Sequence, residues 1–268
     1  MERNDTWAVI LCGGLGSRMG AITQEIPKPL IQIHNQPILW YILMTLRKYK
    51  VKNLIFPLGY KGEVLKEYIE TNFGKSDFNL HLLDTGIDSS IAHRISKVSK
   101  IIPDNADFLL LNSDTIFDFN LEAMLELHQS KNALITLSSV EIISSWGLIH
   151  KRKDDSMAGF SRERKAHYLS SNDDPDQRGY IYSGIAFMNK NALKYVDLET
   201  CSDFEQDLFS NVIAMKRAAH YEIEGSWFAV DTAKDLQIIN QLTGDKNNRG
   251  QRAHAIKEKL SNTQTKKN

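Results

Sequence analysis

The chain has 268 residues, of which 42% are hydrophobic, and this suits one α/β domain or a domain with a small appendage. Its 33 basic residues balance 33 acidic ones, so charge favours neither nucleic acid nor a membrane surface as a partner. Cys12 and Cys201 fit no metal or disulfide pattern, the N-terminal segment is too polar for a signal peptide, and no apolar stretch approaches about 18 residues, so we expect a cytoplasmic protein.

Apolar, strand-like runs alternate with helical patterns through the first half of the chain. The apolar runs predict strands over residues 7–12, 53–58, 79–83, 107–111 and 133–140. Apolar residues at helical spacing predict helices over residues 37–49, 61–71, 91–101 and 121–130. Such alternation is typical of a central, mostly parallel sheet with helices on both faces.

The second half of the chain has a different pattern. It predicts β segments over residues 147–150, 158–161, 180–188 and 221–230, and helices over residues 204–215 and 233–242. Residues 244–268 are polar and carry seven basic against two acidic side chains, which predicts a solvated tail.

A glycine-rich turn follows the first predicted strand. Gly13, Gly14 and Gly16 precede Arg18, and Lys28 lies further on between two prolines. Glycines let backbone N–H groups approach phosphate and base closely, and two cations neutralise a phosphate chain. The prolines fix the backbone that carries the lysine. The pattern therefore predicts a site for a nucleoside triphosphate.

Two other glycine motifs fit less well. A dinucleotide-binding turn needs a third glycine where Met19 stands, and a P-loop ends in G-K-[ST], which does not occur here. A plain turn between a strand and the next segment is the alternative for the glycines alone. The arginine and the proline-flanked lysine argue against it.

The segments GGLGSRM and PKPL resemble the signature of the sugar-phosphate nucleotidyltransferases, usually written GGxGTRLxxxTxxxPKPL. Thr23 and Pro27 fall at matching places, while Ser17 and Met19 are mild departures. The resemblance extends from Ala8 to about Leu236. It implies a Rossmann-like, three-layer α/β fold of the nucleotide-diphospho-sugar transferase type. Such a fold has a mixed, mostly parallel central sheet and a small β-rich sugar-binding part.

The resemblance also implies an activity and a domain organisation. One nucleotidyltransferase domain would cover residues 1–243, with a nucleotide-binding half over about 1–140 and a sugar-binding half over about 141–243. It would transfer a nucleotidyl group from a nucleoside triphosphate to a sugar 1-phosphate, releasing pyrophosphate. The product would serve surface polysaccharide synthesis. Family members use Mg²⁺ and are commonly oligomers, so we expect a homo-oligomer.

Four residues are the candidates for the chemistry. Arg18 would hold the β- and γ-phosphates, and Lys28 would contact the α-phosphate, where charge builds in the transition state. Asp114 follows an apolar strand, in a segment that resembles the family's strand and G-D, and would bind magnesium. Asp231, in FAVDTAKDL, resembles the family's second metal ligand.

Neighbouring acidic residues have plainer interpretations. Asp118 is a helix-capping candidate before Leu121, and Asp235 is interpreted as structural. An ordinary helix N-cap at Asp231 or Thr232 is the alternative to metal binding there.

Base choice is predicted from the loop after the third predicted strand. Leu83-Asp84-Thr85-Gly86, with Ser89-Ser90 and Arg94, closely resembles the loop of glucose-1-phosphate cytidylyltransferases. The resemblance therefore implies CTP and glucose 1-phosphate as substrates. The predicted nucleotide-binding residues are Leu11, Gly13, Gly14, Gly16, Ser17, Arg18, Lys28, Gly59, Thr85, Gly86, Arg94 and Ser113.

The acceptor side departs most from the family. The usual F-x-E-K-P segment is replaced by GFSRERKAHY, so either Arg164 or Lys165 would bind the acceptor phosphate. The predicted sugar-phosphate residues are Trp146, Gly147, Glu163, Arg164, Lys165, Ser183 and Gly184. This departure leaves open a guanylyl- or uridylyltransferase, or a cytidylyltransferase that acts on another phosphate or a phosphonate. A non-catalytic nucleotide-binding regulator would be expected to lack Lys28 or the metal aspartates, and all are present.

Overall fold

The computed structural model describes residues 6–143, 148–152, 154–161, 165–166 and 179–241. Its strands are β1 (Trp7–Leu11), β2 (Gln32–Ile33), β3 (Gln36–Pro37), β4 (Asn53–Leu58), β5 (Asn79–Asp84), β6 (Asp107–Asn112), β7 (Thr115–Phe119), β8 (Ile135–Val140), β9 (Ile142–Ile143), β10 (Leu148–Lys151), β11 (Met157–Ser161), β12 (Lys165–Ala166), β13 (Ile181–Asn189), β14 (Ala218–Glu222) and β15 (Gly225–Ala229). Its α-helices are α1 (Ala21–Glu25), α2 (Ile38–Lys48), α3 (Gly62–Phe73), α4 (Ile91–Val98), α5 (Leu121–Ser130), α6 (Phe204–Ala214) and α7 (Ala233–Gln241).

The main sheet has seven strands in the order β14-β8-β13-β6-β1-β4-β5. All of them run parallel except β13, which is antiparallel to both β6 and β8. The predicted mixed, mostly parallel sheet is therefore confirmed.

Alternate residues along the central strands face two separate cores. In β1, Ala8 and Ile10 belong to one core and Val9 to the other. Helices α2, α3, α5 and α7 contribute to the first core, while α4 and α6 contribute to the second. Strands covered on both faces become continuously apolar, which explains runs such as FLLL in β6. The result is the three-layer arrangement that the sequence predicts.

The strand order reverses at β1, and this creates a crevice. From β1 the chain reaches β4 on one side of it, and β6 later pairs on its other side. In open α/β sheets, ligands bind beyond the carboxyl ends of the strands at such a switch point. Here those ends lead into Gly13 and into Ser113.

One predicted β segment is in fact two strands. The segment predicted over residues 221–230 divides into the end of β14, at the edge of the main sheet, and β15, which pairs antiparallel with β7. The chain changes partner at Gly225, where φ is +156° and a Cβ would overlap the carbonyl oxygen of Asp118. A side chain at this position would therefore obstruct the turn.

Two further points bear on the predicted organisation. Among the described helices, none has the length and apolar character that a membrane crossing needs. The predicted tail over residues 244–268 lies outside the described residues.

Candidate active site

A cleft of about 640 Å³ lies at the switch point of the sheet. The predicted nucleotide and metal residues that line it are Leu11, Gly13, Gly14, Gly16, Ser17, Arg18, Lys28, Arg94, Ser113, Asp114 and Asp231. These residues are brought together from five separate stretches of the chain.

The glycine-rich turn is shaped by local hydrogen bonds. Gly16 has φ +63°, a conformation that side chains disfavour, and its carbonyl oxygen accepts from the backbone N–H of Met19 at 3.0 Å. The buried hydroxyl of Thr23 donates to the same carbonyl oxygen at 3.1 Å. A Cβ at Gly16 would lie 3.0 Å from the methyl group of Thr23. Glycine and threonine thus fix the turn together.

The pairing of β7 with β15 brings two carboxylates to one place. Thr115 at the start of β7 pairs with Ala229 at the end of β15. The backbone N–H of Val230 then donates to the carbonyl oxygen of Asp114 at 2.9 Å. Asp114 and Asp231, which flank these strands, therefore lie side by side although they are far apart in sequence.

Lys28 lies between the two carboxylates. Its Nζ donates to Oδ2 of Asp114 at 2.6 Å and to Oδ1 of Asp231 at 2.9 Å. Arg18 Nη1 lies 3.3 Å from the same oxygen of Asp231. The Lys28 side chain is only 13% exposed and that of Arg18 is 75% exposed. The lysine is thus set into the cleft wall, whereas the arginine extends into solvent.

The start of α7 is capped by Thr232 and Asp235, and not by Asp231. The Thr232 hydroxyl accepts from the backbone N–H of Asp235 at 3.3 Å, and the Asp235 carboxylate accepts from the backbone N–H of Thr232 at 2.8 Å. This is a reciprocal capping box made by two other residues. Asp231 is left to face Lys28. The structural interpretation of Asp235 agrees with these bonds.

The donor set fits a magnesium ion. Asp114 and Asp231 offer carboxylate oxygens that are no farther apart than 5.5 Å, the sum of their distances to Nζ of Lys28. Mg²⁺ in phosphate-transfer sites commonly takes one or two carboxylates and completes its octahedron with water and substrate phosphate. Among the described residues no group of three metal-ligating side chains occurs. A site with two protein carboxylates is compatible with that finding.

The structure does not place three of the predicted base-reading or turn residues at the cleft. Gly59, Thr85 and Gly86 are not among the described residues that line it. Thr85 is buried, and its hydroxyl donates to the carbonyl oxygen of Leu58 at 2.6 Å. Arg94 does line the cleft, but only 4% of it is exposed. In this conformation the Thr85 hydroxyl supports the wall of the cleft.

The acceptor side is described only in part. Trp146, Gly147, Glu163 and Arg164 lie outside the described residues, and Lys165 is described only as backbone, in β12 paired with Ile143 of β9.

Ser183 and Gly184 lie where β13 changes register against β8. Gly184 has φ +75°, and a Cβ there would lie 2.6 Å from the side-chain nitrogen of Asn112. Asn112 lines the cleft, so this glycine adjoins the cleft through it. Ser183 is held by a side-chain bond to Ser138, and its carbonyl oxygen accepts from Trp227 Nε1 at 2.9 Å.

The sequence prediction missed several residues that line the cleft. Asn112 ends β6 two residues before Asp114, and its place at a strand end was the available signal. Leu15, Ile87 and Ile91 are 56%, 58% and 42% exposed at the cleft. An apolar residue in an otherwise polar loop was the signal for Ile87, whereas Ile91 is the first residue of α4.

Cys12 also lines the cleft, but only 4% of the residue is exposed. Burial raises the pKa of the Cys12 thiol to about 12. It is therefore present as the neutral thiol and is a poor nucleophile.

The sequence analysis named Asp118 as a candidate cap for α5, and this prediction is wrong. Asn120 is the N-cap, and its side-chain oxygen accepts from the backbone N–H of Ala123 at 3.0 Å. Asp118 lies two residues earlier, within β7, and its Oδ1 accepts from Nζ of Lys48 at 2.8 Å. The sequence predicted no strand over residues 115–119, and because β7 runs to Phe119 the helix cap falls at Asn120.

A smaller cavity of about 210 Å³ lies at the opposite end of the strands, near Thr6 and Asp107. Asp107 begins β6, so this cavity is remote from the glycine-rich turn. The candidate phosphate- and metal-binding residues Arg18, Lys28, Asp114 and Asp231 all line the larger cleft instead.

Comparison with known proteins points to one family. Residues 7–246 match the protein family described as nucleotidyl transferase. The chain is 32% identical over 254 residues to a protein of Bacillus subtilis named "Probable glucose-1-phosphate cytidylyltransferase", covering 88% of this chain and 95% of the relative. It is 30% identical over 214 residues to the D-glycero-alpha-D-manno-heptose 1-phosphate guanylyltransferase of Campylobacter jejuni, covering 79% and 89%.

Solved structures share the fold. A crystal structure of HddC from Yersinia pseudotuberculosis superposes with a TM-score of 0.64 at 19% identity, covering 88% of this chain and 98% of that one. At this identity the likeness concerns the arrangement of strands and helices.

Proposed function

The chain belongs to the nucleotidyl transferase family, and from this premise we propose that it transfers a cytidylyl group from CTP to glucose 1-phosphate. The products would be a nucleoside diphosphate sugar and pyrophosphate. The observation that carries the proposal is the convergence of Lys28, Asp114 and Asp231 beside a glycine-rich turn at the switch point of the sheet.

The reaction joins two anions, so control of charge is its main requirement. An oxygen of the acceptor phosphate attacks the α-phosphorus, and the bond from that phosphorus to the bridging oxygen breaks, so that pyrophosphate leaves. The attacking oxygen is already ionised at neutral pH and needs no general base. The described lining of the cleft contains no histidine, which is compatible with this chemistry.

Each charged residue then has a part in the transfer. Lys28 would bind the α-phosphate and stabilise its developing charge. Arg18, on its exposed side chain, would hold the β- and γ-phosphates and the departing pyrophosphate. Asp114 and Asp231 would hold magnesium, which when bound supplies positive charge to the phosphate oxygens.

The charges of the cleft support a requirement for the metal. Its described lining carries three basic side chains, Arg18, Lys28 and Arg94, against the three acidic ones of Asp88, Asp114 and Asp231. A triphosphate is therefore attracted strongly only when a divalent cation accompanies it.

The choice of substrates is supported by likeness to relatives. The Bacillus subtilis relative is named for CTP chemistry, but the Campylobacter jejuni relative is named for guanylyl transfer to a heptose phosphate. The departure at residues 160–166 is the reason to keep a guanylyl- or uridylyltransferase, or a different phosphate or phosphonate acceptor, as the alternative. The division into nucleotide and sugar halves, a homo-oligomeric state and supply of surface polysaccharide synthesis in the cytoplasm belong to the same proposal.

The test is pyrophosphate release with magnesium across CTP, UTP, GTP, ATP and dTTP, each with and without glucose 1-phosphate. Release only with CTP and glucose 1-phosphate together supports the proposal. Release with another triphosphate corrects the base. If every pair fails, the acceptor is wrong, and a wider set of sugar phosphates and phosphonates is tried next.

A further inference from the structure

Arg94, on the first turns of α4, has nearly all of its hydrogen-bonding capacity directed inward. Its Nη2 donates to the carbonyl oxygens of Gly13 at 3.0 Å and Ile87 at 3.1 Å. Its Nη1 donates to the carbonyl oxygen of Leu58 at 3.1 Å and to the hydroxyl of Thr85. One guanidinium therefore joins the glycine-rich turn, the end of β4 and the loop that follows β5.

The bonded partners of this cation are all neutral. Within the described part of the chain, no carboxylate forms an ion pair with Arg94, and only 4% of the residue is exposed. Burial lowers the pKa of Arg94, and the charge of Asp84, which forms no ion pair with it, opposes this only in part. The hydrogen bonds must therefore offset the remaining cost of burying the charge. A planar fork that reaches several acceptors at once is a property of arginine and not of lysine.

The guanidinium also accounts for two glycines. A Cβ on Gly13 would overlap Nη1 of Arg94, and the three atoms nearest to it all belong to this arginine. A Cβ on Gly59 would overlap the same group and would lie 2.6 Å from the carbonyl oxygen of Gly13. The glycine-rich turn can therefore lie against Arg94 only because these positions lack side chains.

The loop that Arg94 holds carries part of the cleft surface. Within residues 85–90, Gly86 has φ +94°, Ser89 donates its hydroxyl to the carbonyl oxygen of Thr85, and Ser90 caps α4 by accepting from the backbone N–H of His93 at 3.2 Å. Ile87 lies in this loop and is exposed at the cleft, across from the turn that holds Leu15.

We propose that Arg94 is a positioning residue that fixes the glycine-rich turn against the loop over residues 85–90, and so sets nucleotide affinity and base choice. This inference rests on the proposed function. Arg94 acts through the carbonyl groups it holds, so its effect falls on the nucleotide and not on the acceptor.

The first test separates the nucleotide from the acceptor. We expect Arg94→Met to raise the nucleotide Kd and KM by about tenfold or more, because several charge-assisted hydrogen bonds are lost, and to leave the acceptor KM within about twofold. Arg94→Lys should raise the nucleotide Kd and KM to the same degree, since an ammonium group cannot reach the same set of acceptors. The CTP to UTP preference should fall in both variants. The matched control is Lys100→Met, which removes an exposed charge just beyond the same helix.

The second test is a double-mutant cycle on the contact itself. Gly13→Ala alone should weaken nucleotide binding by about tenfold or more, because its methyl group meets Arg94. When Gly13→Ala is added to Arg94→Ala, it should weaken nucleotide binding by less than about threefold, because the guanidinium that the new methyl group would overlap is gone. Equal losses in the two backgrounds would contradict the proposal.

The third test needs no turnover, and so distinguishes this proposal from the proposed function. In the ligand-free Arg94→Met protein, amide hydrogen exchange should accelerate in residues 13–17 and 85–90 and stay unchanged in β4. If wild-type protein binds no nucleotide, the proposed function fails while this measurement still decides the role of Arg94. Unchanged exchange, wild-type nucleotide affinity, restored affinity in Arg94→Lys, or equal rises in both KM values would each overturn the inference.

Discussion

Lys28 occupies the position between two carboxylates in which a divalent ion would also be stable. Its ammonium group neutralises Asp114 and Asp231 while the phosphates that it is proposed to bind are absent. When metal and nucleotide bind, the two carboxylates would pair with the metal instead of Lys28, and Lys28 would pair with the α-phosphate. The same three side chains thereby balance charge before and after substrate arrives.

Removing the lysine charge or one carboxylate charge of this cluster should abolish turnover but leave the fold intact. We expect Lys28→Ala and Asp114→Asn each to lower kcat by at least about 100-fold, because charge stabilisation of the transition state is lost. Far-UV circular dichroism and melting temperature check the fold. The matched controls are Lys48→Ala and Asp118→Asn, which break a 2.8 Å lysine–aspartate pair at the other end of β7. Wild-type rates in both site variants would contradict the assignment.

The lysine should also compete with the metal. In Lys28→Ala, Mg²⁺ should raise the melting temperature more than in wild-type protein, because no ammonium group has to be displaced from the carboxylates. Thermal unfolding with and without Mg²⁺ measures this. In the Lys28→Ala, Asp114→Asn double variant, this larger Mg²⁺-induced rise in melting temperature should disappear. Equal rises in wild-type protein and both variants would show that the metal binds elsewhere.

Individual elements differed in how well their sequence predicted them. The strand at residues 53–58 and the helix at residues 121–130 were predicted with the observed bounds, since apolar periodicity reflects burial on the sheet. The β7–β15 pair was missed because register between strands more than 100 positions apart leaves no local signal. Likewise, Thr85 and Arg94 belong to a motif, but their burial depends on β4 and the glycine-rich turn packing around them.

The capping box of α7 should support the site as well as the helix. Asp235→Ala removes the acceptor for the backbone N–H groups of Asp231 and Thr232, and should lower the free energy of unfolding by about 1 kcal/mol. It should also raise the Mg²⁺ concentration needed for half-maximal activity. Asp203→Ala, which removes the cap of α6, is the control: it should cost similar stability with an unchanged magnesium requirement. The idea fails if both variants behave alike toward magnesium.

At the scale of the whole molecule, the cleft and a partly buried polar cluster around Asp107 lie at opposite ends of the sheet. The cleft lies at the carboxyl ends of the strands, whereas Asp107 begins β6 and links it to α5 and β13. Oδ1 of Asp107 lies 3.4 Å from Nε2 of the buried His128 and accepts from Nδ2 of Asn189 at 2.7 Å. Burial alone would raise the pKa of Asp107, but the contacts with His128 and Asn189 lower it on balance.

A lowered pKa makes this carboxylate a source of acid sensitivity. The stabilisation is present above its usual pKa of 3.8 and is lost as pH falls through the lower value of the folded protein. Asp107→Asn should therefore reduce the free energy of unfolding at pH 7 by about 1–3 kcal/mol and flatten its decline below about pH 4. Urea unfolding across this range measures both effects. Asp104→Asn, at an exposed ion pair with Lys190, is the control and should change little. An unchanged acid limb in Asp107→Asn would contradict the assignment.

The separation of 203 residues between Lys28 and Asp231 has a consequence for synthesis of the protein. The glycine-rich turn and its lysine emerge from the ribosome early, and the local βα units of the first half can form while translation continues. The second carboxylate arrives only after β15 has been made and has paired with β7. With the proposed site, a nascent chain would be unable to consume triphosphate, and catalytic activity would report that β15 has paired with β7.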